Sequence, residues 1–137
     1  MLTVKGKVTS GMKKASMFMQ KDTYVRQYEE KLGFIPFFGT LNIKLDDNIY
    51  LDIDGELNKH LMIINGNDNL GDVYFLKARI TNLDNNTSNN GAILFPTKTT
   101  YSLNTLEFVS KDKLRETLNL NDGSKVLVEV LIKENYY

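Results

Sequence analysis

Cysteine is absent from the 137 residues. That excludes disulfides, thiolate metal centres and a cysteine nucleophile, and it suits an intracellular setting. Histidine is almost as scarce, with His60 alone, so structural zinc has too few sulfur and nitrogen ligands and a histidine-based triad has one residue to build on. His60 reads as a surface or hydrogen-bonded histidine at the start of a strand. No apolar run approaches the roughly 20 residues that cross a bilayer, and the opening "MLTVKGKVTSG" has none either, so a soluble cytoplasmic protein is expected. The sequons at Asn85 and Asn86 then read as accidents of an asparagine-rich segment. Net charge is missing too: 17 basic residues balance 17 acidic ones. No overall field draws the chain to nucleic acid or anionic lipid, and neither is expected as a partner. The common chemical motifs are also lacking, with no GxxxxGK[ST], no GxGxxG after a strand, no HExxH and no GxSxG.

What is present reads as one domain, residues 1–137, with a core of modest size. "LTVKGKVT" alternates Leu2, Val4 and Val8 as a strand and runs into the loop "SGMKKAS". "DTYVRQYEEKLG" carries Tyr24, Tyr28 and Leu32 at helical spacing, with Asp22 or Thr23 as cap and Gly33 as the stop. "FFGTLNIKL", "NIYLDI", "HLMIING" and "DVYFLKARI" read as successive strands. "TNLDNNTSNNG" is expected to be a loop, polar and low in propensity for regular structure. "GAILFP" and "NTLEFVS" are strands, "KDKLRETLNL" is a helix capped by Ser110, and "DGSKVLVEVLI" is a turn and a final strand. Many short strands with helices only at intervals favour a closed or nearly closed β-barrel.

The candidate chemistry rests on oxygen donors and basic residues. In "GTLNIKL", Leu41, Ile43 and Leu45 form the apolar face of a strand, and Thr40, Asn42 and Lys44 the other. A hydroxyl and an amide carbonyl two residues apart can hold a small hard cation such as magnesium, or can simply be the wet face of an amphipathic strand. Because neither is charged, such a cation site fills chiefly when phosphates supply the negative charge. "SGMKKAS" offers Gly11 for a turn and Lys13 and Lys14 for phosphates, or is a solvated basic turn. "SKDKLRE" is either a capped surface helix or an acceptor-binding start with Arg115 as a planar fork. The hydroxyls of "PTKTTYS" after Pro96 are a weaker signal of the same kind.

Together these segments resemble the archaeal CTP-dependent riboflavin kinases. The resemblance spans nearly the whole chain through "GKVTSG", "EKLGFIPFFGTLNIKL", "GAILFPTKTTYS" and "LEFVSKDKLRETLNLNDGSKVLVEVLI". The ordered set LGF-x-P-x-x-GTLN, GAI-x-x-P-x-KT and KLRE is specific where each piece alone is not. It implies a mainly β fold, a small cradle-loop (RIFT-type) six-stranded barrel with two short helices. It implies a magnesium-assisted transfer of the CTP γ-phosphoryl group to the ribityl 5′-hydroxyl of riboflavin, giving FMN and CDP, by a protein expected to be a monomer. Carried over by position, Thr40 and Asn42 are the magnesium ligands. Gly11, Met12, Lys13, Lys14, Ala15 and Ser16 wrap the phosphates. Asp112, Lys113, Leu114 and Arg115 contact the cytidine part, and Thr99 and Glu107 the flavin. Glu107 is the candidate for orienting or deprotonating the hydroxyl. The family's loop often reads like SGLGEG, so Lys13 and Ala15 here replace glycines; the backbone is less free, and the lysines add charge opposite the phosphates. The alternative is a non-catalytic β-barrel module that binds a nucleotide, nucleic acid or protein partner.

Overall fold

A computed structural model of the chain describes residues 3–10, 22–35, 37, 40–51, 61–64, 73–95 and 101–131. In chain order these form β1 (Thr3–Thr9), α1 (Asp22–Leu32), β2 (Leu41–Leu51), β3 (Met62–Ile64), β4 (Val73–Asn82), β5 (Thr87–Phe95), β6 (Tyr101–Val109), α2 (Leu114–Thr117) and β7 (Lys125–Val130). Every strand pairing is antiparallel. The order β4-β5-β6-β2-β1-β7 returns to β4 through a β4–β7 pairing, so six strands close a ring. This is the expected six-stranded barrel, and β3 is a seventh strand beside it. One edge of β4 carries β5 along Tyr74–Asn82, while the other is shared between β7 at Ala78–Asn82 and β3 at Val73–Phe75. Closure matters because each of the six ring strands then has a neighbour on both sides, which limits the edge available to another chain.

The period of two sorts side chains into two cores. Val4, Val8, Ile43, Leu76, Ile80, Ile93, Phe108, Val126 and Val128 belong to the interior cluster. On the outside, Tyr28 and Leu32 of α1 cluster with Ile64, Val73, Phe75, Ala92, Leu94 and Val109. The Tyr28 ring meets Phe75 edge-on, with centroids 5.4 Å apart at 87°, a favoured aromatic geometry. Helix α1 ends as its sequence predicts. Gly33 takes a φ of +80° and its N–H bonds the Glu29 carbonyl at 3.1 Å, a conformation open to glycine at little cost.

Three local expectations are corrected. "NIYLDI" is not a separate strand. β2 continues through its first four residues, Asn48 to Leu51, across a register break, with Lys44 opposite Thr105 and Ile49 opposite Leu103, so the polar residues between are absorbed as a bulge; Asp52 and Ile53 lie outside the described residues. "TNLDNNTSNNG" is not an irregular loop but the tip of a hairpin, with β4 running to Asn82 and β5 starting at Thr87. Its asparagines build the turn. Asn82 Oδ1 accepts from the Asp84 N–H and Asn85 Oδ1 from the Thr87 N–H, each at 3.0 Å, and Asn86 takes a φ of 59°, which asparagine tolerates better than most residues. Finally, α2 is only four residues long, with Lys113 at its N-cap and no side-chain cap bond. Ser110 does not cap it, because it lies ahead of the Lys113 N-cap; its Oγ accepts the Asp112 N–H at 3.4 Å and its hydroxyl donates to the Asn90 carbonyl at 3.2 Å. Among the described residues no helix is long and apolar enough to cross a membrane.

Candidate functional site

Leu94, Glu107, Asn42 and Thr9 stand opposite one another across β5, β6, β2 and β1. Directly opposed residues share a face. Their chain neighbours Ile93, Phe108, Ile43 and Val8 fill the barrel interior, so this row lies on the outer face. Thr40, one residue before β2, joins the row. Its Oγ1 donates to Glu107 Oε1 at 3.3 Å. The polar face is graded rather than uniformly wet: Asn42 is 7% exposed, Thr40 and Glu107 are half-buried, and Lys44 is exposed as expected. A buried amide at a strand end beside a carboxylate is costly to desolvate without partners, which separates Asn42 from an ordinary solvated strand position.

The donor set suits a hard cation. A hydroxyl, an amide oxygen and a carboxylate are all oxygen donors of the kind magnesium accepts. Among the described residues no group of three or more His, Cys, Asp or Glu side chains is placed to hold a metal. The row therefore supplies one carboxylate, too little charge to balance a divalent ion unless bound phosphates add theirs.

A second cluster lies where β1 ends. Asp122 accepts the Ser10 hydroxyl at Oδ2 and the Arg115 Nη2 at Oδ1, each at 2.7 Å. The Arg115 Nη2 also reaches the Thr9 carbonyl at 3.5 Å. The Ser10 hydroxyl, foremost, and the Arg115 guanidinium hold the Asp122 carboxyl below its usual range, since both interactions favour the charged form. The turn that carries Asp122 is sewn to β1, with Gly123 N–H on the Val8 carbonyl at 2.7 Å and Val8 N–H on the Ser124 carbonyl at 2.9 Å. Because Thr9 is the register partner of Asn42, this cluster and the polar row meet at the same end of β1.

The segment leading into α2 is fastened separately. Asn89 Nδ2 donates to Asp112 Oδ2 at 3.1 Å, and the Phe37 N–H bonds the Ser110 carbonyl at 2.7 Å. Lys113 pairs with Glu116 at 3.4 Å on the surface. Leu114 contributes its side chain to the interior cluster, and its carbonyl accepts the Leu118 N–H at 2.9 Å. Of the residues singled out from the sequence, then, Thr40, Asn42 and Glu107 come together, and Arg115 stands by the end of β1. Gly11, Met12, Lys13, Lys14, Ala15, Ser16 and Thr99 lie outside the described residues. Sequence reasoning missed Asp122 and Ser10. They are 112 positions apart, so no local spacing could pair them, and "NDGS" carried only a turn signal.

Residues 8–130 match the family model labelled CTP-dependent riboflavin kinase and described as a domain of unknown function, DUF120. The chain is 53% identical over 130 residues to a riboflavin kinase of Methanosphaera stadtmanae, covering 95% of this chain and 98% of that protein. It is 41% identical over 128 residues to one from Methanobrevibacter smithii, covering 93% and 99%. With one from Methanothermobacter thermautotrophicus it shares 39% over 121 residues, covering 88% and 93%.

Proposed function

Because the chain belongs to the CTP-dependent riboflavin kinase family, we infer that it is a kinase that phosphorylates riboflavin to FMN, and we propose CTP as the phosphoryl donor. The observation that carries the site assignment is the Thr40–Glu107 hydrogen bond at 3.3 Å beside the buried Asn42. Phosphoryl transfer asks little covalent chemistry of a protein; it asks for aligned reactants and neutralised charge. Thr40 and Asn42 would hold magnesium, with the nucleotide phosphates completing its ligands. When bound, the ion neutralises charge that builds on the phosphate oxygens as the leaving group departs. Glu107 faces the ribityl 5′-hydroxyl and accepts its proton. The hydroxyl oxygen bonds the γ-phosphorus as the bond to the bridging oxygen breaks, and CDP leaves. Thr40 steadies Glu107 by donating to Oε1, so one residue serves both the cation and the base. Asp112, Lys113, Leu114 and Arg115 form the cytidine side, Gly11 to Ser16 the phosphate side, and Thr99 joins Glu107 at the flavin.

Purified protein incubated with riboflavin, magnesium and CTP, ATP, GTP or UTP in turn, with FMN followed by chromatography, tests this. FMN with CTP in clear preference is the expected outcome. No FMN with any nucleotide would sink the kinase reading and leave a binding module, whereas product with ATP and not CTP would remove only the donor.

A further inference from the structure

We propose that Asp122 is a positioning residue of the nucleotide site, fixing the Arg115 guanidinium against Ser10, the residue immediately before Gly11. This rests on the reading that Arg115 and the segment from Gly11 onward face the nucleotide. The geometry is that of a clamp with one carboxylate at its centre. Oδ1 takes the guanidinium and Oδ2 the hydroxyl, both at 2.7 Å. Two parts of the chain assigned to opposite ends of the nucleotide, the nucleoside and the phosphates, are thereby tied to a single group.

The clamp is itself held in place by main chain. After α2 the Leu120 N–H bonds the Arg115 carbonyl at 2.9 Å, and Asn119 turns the chain with a φ of 55°. The Ser124 N–H closes onto the Asn121 carbonyl at 3.0 Å, and the Asn121 N–H bonds Ser124 Oγ at 2.9 Å. With Gly123 and Ser124 paired to Val8, Asp122 has little freedom to follow a moving partner. Arg115 must therefore come to it. A guanidinium carries five N–H donors in a fixed plane, and both bonds to Asp122 and Thr9 leave from Nη2. Holding that nitrogen orients the plane and the remaining donors, so less side-chain entropy is lost when a ligand binds. The same two partners hold the Asp122 carboxyl below its usual range, so the clamp stays charged further into acid than a free aspartate would. The pair is solvent-exposed, with Arg115 at 36% and Asp122 at 57%, so its removal should change affinity modestly and leave the fold largely alone.

Steady-state kinetics of Asp122→Ala and Asp122→Asn test this, with CTP and riboflavin varied separately and CDP-induced thermal stabilisation measured alongside. The CTP KM is expected to rise about two- to fivefold, the size of effect an exposed ion pair gives. The riboflavin KM should be unchanged, and CDP should stabilise the variants less than wild type. Asp122→Glu, which keeps the charge, should recover part of the loss. Ser10→Ala removes one arm only and should give a smaller effect that is not additive with Asp122→Ala; it keeps the test open should the Asp122 variants fold poorly. An unchanged CTP KM, or equal rises in both KM values, would overturn the assignment. Wild-type protein that makes no FMN would instead remove the functional reading, and the inference with it.

Discussion

Glu107 and Asn42 face each other across β6 and β2, yet the proposed reaction asks different things of them, and single substitutions should separate the two. Glu107→Gln keeps the size of the side chain and an acceptor for Thr40, and removes the group that takes a proton. General-base help is typically worth ~10²–10⁴-fold, so kcat should fall within that range while the magnesium dependence stays near wild type. Asn42→Ala removes a neutral oxygen donor. Its main effect should be a higher magnesium concentration for half-maximal rate, read from initial rates at fixed CTP. Near-normal turnover in Glu107→Gln would end the base assignment and leave Glu107 as a binding residue. Lys44, exposed on the same strand, serves as the control, and Lys44→Ala should leave both parameters alone.

The elements were legible where a local rule decided them. β1, α1, β4 and β7 follow from alternation, helical spacing and a glycine stop, because each needs only neighbouring residues to declare itself. The hairpin tip was not, since the same asparagines that depress strand propensity also build its turn, and strand pairing overrode the propensity of "TSNNG". Ser110 misled in the opposite direction: a good capping residue stands ahead of the helix, where its Oγ takes the Asp112 N–H and its hydroxyl donates to the Asn90 carbonyl. At the site, the period of two already put Thr40 and Asn42 on one face as a possible cation pair, but Glu107 joined them only through a resemblance of ordered motifs, as β2–β6 register is invisible to spacing. The Asp122 clamp left no sequence signal at all. β5 and β6 also meet at a contact the sequence conceals. A Cβ on Gly91 would lie 2.0 Å from the Val109 carbonyl oxygen and 2.6 Å from Phe108 Cε1. Gly91→Ala should therefore push β6 away and destabilise the fold by about 1–3 kcal/mol or more, the usual cost of overpacking, seen as a lower urea midpoint. It should also lower kcat, because Phe108 is the chain neighbour of Glu107. A midpoint equal to wild type would show that the two strands are free to separate.

For the molecule as a whole, the decisive event is closure of the ring. β4 and β7 are joined along Ala78–Asn82 and Val126–Val130, and β7 is joined in turn to β1. Without that seam the six strands are an open sheet with two exposed edges, a state prone to pairing with other chains. β7 also pairs with β1, and that pairing carries the 121–124 turn to the end of β1, so barrel closure and the placing of Arg115 depend on the same strand. Ile80 sits in the seam opposite Val128, fully buried in the interior cluster. Ile80→Ala should cost about 2–5 kcal/mol, the range for deleting a buried branched side chain, with the spread set by how far the barrel collapses around the gap. Loss of the seam should be global, so fluorescence and far-ultraviolet dichroism should report one coincident thermal transition at a lower Tm. Well below that Tm, where the ring is still closed, the CTP and riboflavin KM values should match wild type, because Ile80 lies on the inner side of the sheet and the polar row on the outer. Two separate transitions, with the β1–β7 end melting first, would mean that the site end closes independently of the seam, and that closure and site assembly are distinct steps.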